Sequence, residues 1–211
     1  MGDSRVAEVS GGQRGSARRK HVLTVALSTF ARFGYRKTSM DDVARAADIS
    51  RPGLYFLFSS KEKLFRAAVI DALDGDLDMA GQVLGDPERP LRDRLIEAFD
   101  LWTGRYVGAM SSEVAVLIDT NPALLGQIVT AYPQRFIEMT TNALADALPA
   151  RRKGVAGDIA RTLRSTAAGI KYEVATRAEF VERMTVAIDL FLPALNDSKR
   201  SSAADSGDQE G

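Results

Sequence analysis

The sequence predicts an all-α protein, and two observations support this prediction. Apolar residues recur at intervals of three and four along most of the 211 residues, which is the spacing of amphipathic helices packed on a core. Residues 39–65 also hold three helix-start signals, which indicates short helices joined by tight turns. No segment reads as a strand. We expect a three-helix N-terminal domain followed by a larger helical domain.

Composition excludes several classes of protein. Cysteine is absent and His21 is the only histidine, so we predict no metal site. The first twenty residues lack the apolar segment of a signal peptide, and no later run approaches eighteen apolar residues. We therefore expect a cytoplasmic protein without a membrane segment.

Charge is unevenly distributed along the chain. Residues 1–66 contain 13 Lys and Arg against 6 Asp and Glu, whereas residues 67–211 contain 15 against 22. The formal net charge of zero therefore combines a basic N-terminal third with an acidic remainder. Such a basic region indicates a polyanionic partner for that end of the molecule.

Residues 1–15 are rich in Gly and Ser, lack periodicity and are predicted to form a disordered basic arm. A helix is predicted from Ser16 to Phe33, and Gly34 is placed to end it. The basic residues at the junction could contact phosphates or a minor groove, or could simply be solvated. They are Arg14, Arg18, Arg19 and Lys20.

Two short helices follow, each opened by a capping signal. Ser39 and Asp42 form a capping box, and Ser50 caps the next helix, whose first turn contains Pro52. Two short helices joined by a tight turn are typical of helix–turn–helix DNA readers. Residues 16–66 are therefore predicted to be a helix–turn–helix DNA-binding domain.

The second short helix carries the side chains expected to read DNA. Arg51 can donate two hydrogen bonds to guanine, and Pro52 can contact a thymine methyl group. Gly53 lets the helix approach the bases closely. Tyr55 suits a phosphate oxygen.

Flanking positions are predicted to contact the DNA backbone. Thr38 and Ser39 can donate their hydroxyl groups to phosphates. Ser59 and Glu62 form another capping box, which places Lys61 in the first turn of the next helix, where the helix dipole disfavours a cation. A phosphate partner would offset that cost, and a plain exposed lysine is the alternative.

A resemblance to a known family rests on residues spread over positions 26–64. They are Ala26, Phe30, Gly34, Tyr35, Thr38, Val43, Ala44, Ala47, Ile49, Ser50, Leu54, Tyr55, Phe58, Lys61 and Leu64. With them, residues 16–66 resemble the DNA-binding domain of the tetracycline-repressor (TetR) family. Asp48 departs from the family's usual glycine at the turn, but aspartate tolerates left-handed dihedrals. Leu57 departs from a common histidine or other polar residue.

Residues 67–196 are predicted to form a helical effector-binding and dimerisation domain, and residues 197–211 a disordered tail. Helices are expected in this domain over about residues 91–110, 112–120 and 123–148, with a kink or interruption of the last one at Pro133. The last two helices are the expected homodimer surface, because their apolar residues face more than one side. A purely internal core is the alternative. The residues that indicate the surface are Ala167, Ala168, Gly169, Phe180, Val181, Met184, Ile188, Phe191 and Leu195.

The resemblance implies that the middle helices enclose a pocket for an unidentified small-molecule effector, whose binding changes the spacing of two DNA-reading heads. Aromatic and methionine residues at helical spacing are also typical of a plain core. The residues expected to line the pocket are Phe99, Trp102, Thr103, Tyr106, Met110, Phe136, Met139 and Thr140.

Together these features predict a homodimeric transcriptional repressor that an effector releases from a near-palindromic, double-stranded DNA operator. No enzyme activity and no cofactor are expected, because the sequence lacks a cysteine nucleophile, a histidine pair, a glycine-rich phosphate loop and a nucleophile elbow. The alternative is a helical adaptor or small-molecule-binding protein whose helix–turn–helix is only structural.

Overall fold

The computed structural model describes residues 4–108, 117–118 and 120–192, with the backbone alone for residues 4–14 and 151. Every regular element in these residues is helical, which confirms the predicted all-α class. Short 3₁₀ helices lie at Gly104–Tyr106 and Ala150–Val155. The α-helices are α1 (Ser4–Phe33), α2 (Met40–Ala46), α3 (Arg51–Leu57), α4 (Lys61–Leu84), α5 (Leu91–Trp102), α6 (Pro122–Leu125), α7 (Ile128–Ala147), α8 (Ala156–Glu173) and α9 (Arg177–Phe191). None of these described helices combines the length and apolarity needed to cross a bilayer.

The described residues form two compact units. The first contains residues 4–75 and the described part of 117–129, and the second contains the remainder. α4 contributes its first part, up to Gly75, to the first unit. Residues 67–75 and the described residues of 117–129 therefore pack with the N-terminal helices. The predicted boundary after residue 66 instead places both segments in the larger domain.

The first unit packs around aromatic side chains from α1, α4 and the loop between α1 and α2. Phe30 and Phe65 are fully buried and nearly perpendicular, with ring centroids 5.5 Å apart. Tyr35 lies 4.9 Å from Phe65, and such aromatic pairs contribute about 0.5–1.5 kcal/mol beyond the burial of their area. The packing holds the loop before α2 against α1 and α4. Other buried residues of this core are Val22, Leu23, Ala26, Val43, Ala44, Leu54, Phe58 and Leu64.

α6 is attached to the first unit by a hydrogen bond and a buried side chain. Arg66 of α4 donates to the Leu124 carbonyl at 2.5 Å, and Leu125 is fully buried. The last carbonyls of a helix lack partners within it, so Arg66 satisfies one of those left open at the end of α6.

The second unit packs α5 against α9 through charged and apolar contacts. Arg92 pairs with Asp189, and Arg177 pairs with Asp100, each through two hydrogen bonds of 2.5–2.8 Å. Two-point pairs of this geometry fix the register of the two helices. Below them lies a core that includes Leu77, Leu95, Phe99, Phe136, Leu144, Leu163, Phe180, Met184 and Ile188.

Two helix limits near the N-terminus and in the middle of the chain differ from the prediction. α1 begins at Ser4 and not at Ser16, so residues 4–15 of the predicted disordered arm are helical. Extending an existing helix avoids the cost of nucleation, which allows it to run through a weakly patterned segment. α5 ends at Trp102 and does not reach residue 110; the chain continues into a 3₁₀ turn at Gly104, where Asp100 and Phe180 lie too close for a side chain.

The predicted helix over residues 123–148 is divided at Gly126 and not at Pro133. Gly126 has a φ of +57° and separates α6 from α7, a conformation that glycine adopts without steric cost. Pro133 lies inside α7, near its start, where it removes one backbone hydrogen bond. The helix predicted over residues 112–120 lies mostly outside the described residues.

Candidate nucleic-acid interface

α2 begins with the predicted capping box. Ser39 Oγ accepts a hydrogen bond from the Asp42 N–H at 3.2 Å, and Asp42 Oδ2 accepts from the Ser39 N–H at 2.9 Å and from its hydroxyl at 2.6 Å. These bonds hold the pKa of Asp42 below the ordinary aspartate range, with the Ser39 hydroxyl contributing most. The pair therefore fixes where α2 starts.

The turn between α2 and α3 is a Schellman motif. The Asp48 N–H donates to the Arg45 carbonyl at 3.2 Å, and the Ile49 N–H donates to the Ala44 carbonyl at 3.0 Å. Asp48 itself has a φ of 51°, in the left-handed region that aspartate enters more readily than most residues. The turn forms as predicted despite the departure from glycine.

α3 is capped by Ser50 and presents one face to solvent. Ser50 Oγ accepts the Gly53 N–H at 3.2 Å, while Leu54 is fully buried against the core. A Cβ at Gly53 would lie 3.0 Å from the same Oγ, so glycine at this position also protects the cap. The exposed side chains are Arg51, Pro52, Tyr55 and Phe56.

Arg51 is exposed but already oriented by neighbouring groups. Its side chain is 64% exposed, and its Nε lies 3.0 Å from Oδ1 of Asp41 in the first turn of α2. Its guanidinium carbon lies 5.7 Å from the centre of the Tyr55 ring. Arg51 therefore extends from α3 between a carboxylate and an aromatic ring, with its terminal nitrogens available to a base edge.

Phe56 is a candidate contact residue that the sequence prediction missed. It is 90% exposed, which is unusual for phenylalanine and marks it as a possible binding residue. It follows Pro52 by four residues, so the two share one face of α3. That spacing could have revealed Phe56, whereas the prediction considered Leu57, which is only partly exposed.

The predicted DNA contacts of Thr38 and Ser39 are not supported by their hydrogen bonds. Thr38 is 2% exposed, and its hydroxyl donates to the Gly34 carbonyl at 2.9 Å. Ser39 is exposed, but its hydroxyl donates its hydrogen bond to Oδ2 of Asp42. Both side chains stabilise the start of α2, because a hydroxyl has a single proton to donate.

Lys61 also has internal partners where the prediction expected a phosphate. Its ammonium donates to the carbonyls of Tyr35 at 3.0 Å and Thr38 at 3.1 Å, and it lies 4.5 Å from the centre of the Tyr35 ring. These acceptors offset the unfavourable position of a cation in the first turn of α4. The cap of that turn is Ser60 and not Ser59, because Ser60 Oγ accepts the Lys63 N–H at 3.2 Å.

α1 brings basic side chains close to α3. A Cβ at Gly53 would lie 4.0 Å from Nη2 of Arg18, and the Arg19 guanidinium lies 4.7 Å from the centre of the Phe58 ring. Both arginines are exposed. The predicted basic residues at this junction therefore lie on a helix beside α3, where a positive potential favours phosphate.

Three of the eight residues predicted to line an effector pocket form an aromatic stack in the second unit, and a fourth, Thr140, lies beside it. Phe99 and Phe136 are fully buried and meet edge to face at 5.1 Å. Trp102 stacks on Phe136 at the same distance with an interplanar angle of 10°. Thr140 is fully buried and its hydroxyl donates to the Phe136 carbonyl. Phe99, Phe136 and Thr140 are core residues, and half-buried Trp102 lies at the edge of the stack.

The other predicted pocket residues are dispersed. Thr103 follows the last residue of α5, and its backbone N–H donates to the Phe99 carbonyl. The methyl carbon of Met139 lies 2.9 Å from the position that a Cβ on Gly81 would occupy, so the Met139 side chain packs against α4. Met110 lies outside the described residues.

Tyr106 belongs to a buried polar cluster that the sequence prediction did not identify. Asp76 of α4 is 2% exposed; its Oδ1 accepts from Arg105 at 2.5 Å and its Oδ2 accepts from the Tyr106 hydroxyl. Burial raises the pKa of Asp76, and the bonds from Tyr106 and Arg105 oppose that shift. The three residues form a satisfied internal network of the second unit.

The predicted dimer helices have apolar residues on exposed faces. Tyr172 of α8 is 73% exposed, and Val186 and Leu190 of α9 are 58% and 75% exposed. Val186 and Leu190 are four residues apart and share a face, while α9 also buries Phe180 and Met184 in its own unit. α9 is therefore apolar on two sides. Among the residues predicted for this surface, Leu195 lies outside the described residues.

A capped helix–turn–helix with an exposed second helix and flanking arginines defines the class of DNA-binding regulatory proteins. Residues 22–68 match the family model described as "Bacterial regulatory proteins, tetR family". These residues therefore form a DNA-binding domain of the tetR family, and the resemblance drawn from the sequence is confirmed.

Curated relatives match part of the chain. RutR of Escherichia coli K12 is 39% identical over 59 residues, which cover 28% of each protein. AcrR of Shigella flexneri is 33% identical over 92 residues, which cover 42% of this chain and 43% of AcrR. The matches thus span less than half the length of these relatives.

A solved structure extends the likeness to the second unit. A tetR-family transcriptional regulator from Mesorhizobium loti superposes with a TM-score of 0.70 over 86% of this chain and 98% of its own, at 18% identity. At this identity the likeness establishes the shared fold.

Proposed function

We propose that the protein is a cytoplasmic transcriptional repressor that binds double-stranded DNA through α3. The exposed face of α3, within the segment that matches the tetR family, carries this proposal. Its first turn offers Arg51, and the next turn offers Tyr55 and Phe56. A seven-residue helix of this kind can enter the major groove with these side chains against the base edges.

Each exposed side chain of α3 has a distinct proposed role. Arg51 donates to O6 and N7 of a guanine, and Pro52 with Phe56 contacts thymine methyl groups. Tyr55 donates its hydroxyl to a phosphate, and Arg18 of α1 approaches the same backbone. Lys61 acts mainly by holding the loop before α2, so that its third N–H alone remains for a phosphate.

We also propose a homodimer that forms through α8 and α9. The support is the exposed pair Val186 and Leu190, which lies on α9 away from its buried face, together with exposed Tyr172 on α8. A single short recognition helix reads few base pairs, so two copies on a near-palindromic operator supply the selectivity. Light scattering of the purified protein at micromolar concentration should give twice the chain mass of 22.9 kDa.

The second unit is proposed to bind a small-molecule effector near Trp102, at the edge of its aromatic stack. Trp102 is the only tryptophan of the chain, so its fluorescence reports on this location directly. Screening of compounds for a change in that fluorescence, followed by DNA release, tests the proposal. Compounds that release DNA without affecting Trp102 would place the effector elsewhere.

Selection of bound sequences from a random double-stranded DNA library tests the DNA-binding function. We expect two related half-sites in inverted orientation, and an affinity that falls steeply as salt rises because phosphate contacts release counterions. A library that remains random after selection would contradict DNA recognition and favour an adaptor whose helix–turn–helix is structural.

A further inference from the structure

A side chain that reads guanine must be held in place before it meets the base. Arginine has many rotamers, and ordering it on binding costs affinity. Arg51 is long and 64% exposed, so its own packing does not fix its direction. A neighbouring group must therefore orient it if it is to discriminate between bases.

We propose that Asp41 is the residue that positions Arg51 for base reading. This inference rests on the proposed function, in which Arg51 contacts a guanine. Asp41 lies on α2 and Arg51 on α3, so the pair joins the two helices of the helix–turn–helix across their turn. Asp41 approaches the Nε of Arg51, which leaves both terminal nitrogens free to donate to O6 and N7.

The state of the Asp41 carboxylate supports this role. Its Oδ1 atom is buried, yet it accepts no aligned hydrogen bond in the described structure. The Arg51 Nε lies 3.0 Å from this oxygen, close enough for an ion pair but without the alignment of a hydrogen bond. Burial of an unsatisfied oxygen favours alignment of this bond.

Asp41 also has a predictable cost for DNA binding. Its side chain is 47% exposed beside a surface that faces phosphates in the proposed complex, so its charge repels the DNA backbone. It therefore lowers affinity for any DNA while it raises discrimination at one base. Residues that serve only the fold do not have these two opposite effects.

Asp41→Asn separates the positioning role from a structural one. Affinity is measured for the selected operator, for the same operator with 7-deazaguanine at the base assigned to Arg51, and for random DNA. The analogue lacks the N7 acceptor. We expect the penalty for the analogue to shrink by about fivefold to tenfold in Asp41→Asn, as when one good base contact is weakened. Affinity for random DNA should stay equal or rise.

Two further variants complete the test. Asp71→Asn removes one negative charge from α4 of the same unit and should leave the 7-deazaguanine penalty unchanged. In an Arg51→Ala background, Asp41→Asn should have no further effect on that penalty, because the positioned group is gone. Circular dichroism and thermal unfolding confirm that each variant is folded.

Several outcomes would overturn the inference. A parallel loss of affinity for operator and random DNA in Asp41→Asn would show a structural role only. An unchanged 7-deazaguanine penalty would show that Arg51 needs no help from Asp41. If Arg51→Ala itself leaves base preference intact, Arg51 reads no base and the inference fails although the protein still binds an operator. If the parent protein prefers no sequence at all, the proposed function itself has failed.

Discussion

The two units of the molecule use charged side chains in opposite ways. In the first unit, Arg51 is 64% exposed and its ion pair with Asp41 leaves the guanidinium in solvent. In the second unit, Asp76 is 2% exposed and both of its oxygens accept hydrogen bonds from within the unit. An exposed, oriented charge is available to an external partner, whereas a buried one must be satisfied internally. The Arg51 site is therefore suited to recognition and the Asp76 site to internal organisation.

Lys61 shows that this division applies to sites and not to whole units. It lies in the first unit, beside the proposed DNA-facing surface, yet its ammonium is bound to two backbone carbonyls. A basic residue near a DNA-facing helix can thus stabilise the fold before it contacts any phosphate. Its hydrogen-bond partners, and not its position in the sequence, decide the role.

The largest effect is expected at Asp76, the buried charge of the comparison. Asp76→Ala leaves the Tyr106 hydroxyl without its acceptor and should lower the free energy of unfolding by about 2–3 kcal/mol. Asp76→Asn keeps an oxygen for Tyr106 and should lower it by about 1 kcal/mol or less. Chemical denaturation at neutral pH measures both. Equal losses in the two variants would mean that the cluster is held by charge and not by hydrogen bonding.

The pH dependence of the same site gives an independent check. Burial raises the pKa of Asp76, so the folded state keeps this proton more readily than the unfolded state does. As pH rises from the ordinary aspartate pKa through the raised one, the parent should lose stability relative to Asp76→Asn, which does not titrate. A parent that gains stability relative to the variant over that range contradicts the direction of the shift.

Lys61 provides the next largest effect and tests whether it is a structural residue. Lys61→Ala removes two charge-assisted hydrogen bonds and should lower the free energy of unfolding by about 1–2 kcal/mol. Lys63→Ala, at an exposed position of the same turn, serves as the matched control and should change it by less than about 0.5 kcal/mol. If Lys61 served only as a phosphate anchor, the two variants would be equally stable and would differ only in DNA binding.

Phe56 tests whether the exposed face of α3 recognises bases through apolar contact. Replacing the contacted thymine by uracil removes one methyl group, which should weaken binding by about 0.8 kcal/mol, close to fourfold. In Phe56→Ala the same replacement should have no effect, while stability stays unchanged because Phe56 is 90% exposed. Phe33→Ala, at a 54% exposed position on α1, should retain the thymine preference. A uracil penalty that persists in Phe56→Ala would assign the methyl contact to another residue.

The smallest effect is expected for the Asp48→Gly variant, in the turn that sets α3 against α2. Asp48→Gly relieves the cost of a left-handed residue but adds entropy to the unfolded chain, so a gain of about 0.5 kcal/mol is expected. Asp48→Val should lower stability by about 1–2 kcal/mol, because a β-branched residue is strongly disfavoured at this φ. Thermal unfolding distinguishes the two. A destabilised glycine variant would mean that the Asp48 side chain itself makes a stabilising interaction.

The helix–turn–helix could be predicted because its signals are local. The Ser39 and Asp42 cap, the Asp48 turn and the Ser50 cap each act within five residues of the chain, and the structure contains all of them. Helical spacing from Pro52 would also have revealed Phe56. These features depend on sequence neighbours, so a single sequence contains enough information.

Other parts of the site depend on contacts that sequence spacing does not encode. Lys61 reaches carbonyls 26 and 23 residues away, and Asp76 meets partners 29 and 30 residues away. The helix ends near Gly104 and Gly126 likewise follow from tertiary packing and backbone conformation. Propensity alone left Gly104 inside a predicted helix, because it does not report that Asp100 and Phe180 lie against it.

Base preference at the position read by Arg51 tests the central claim most directly. Competition binding compares the selected operator with one in which the assigned guanine is replaced by adenine, for the parent protein and for Arg51→Ala. We predict that the parent prefers guanine by about tenfold or more, and that Arg51→Ala loses this preference but still binds random DNA in a salt-dependent manner. A uniform loss of affinity for both sequences in Arg51→Ala, with the preference intact, would contradict base recognition by the exposed face of α3.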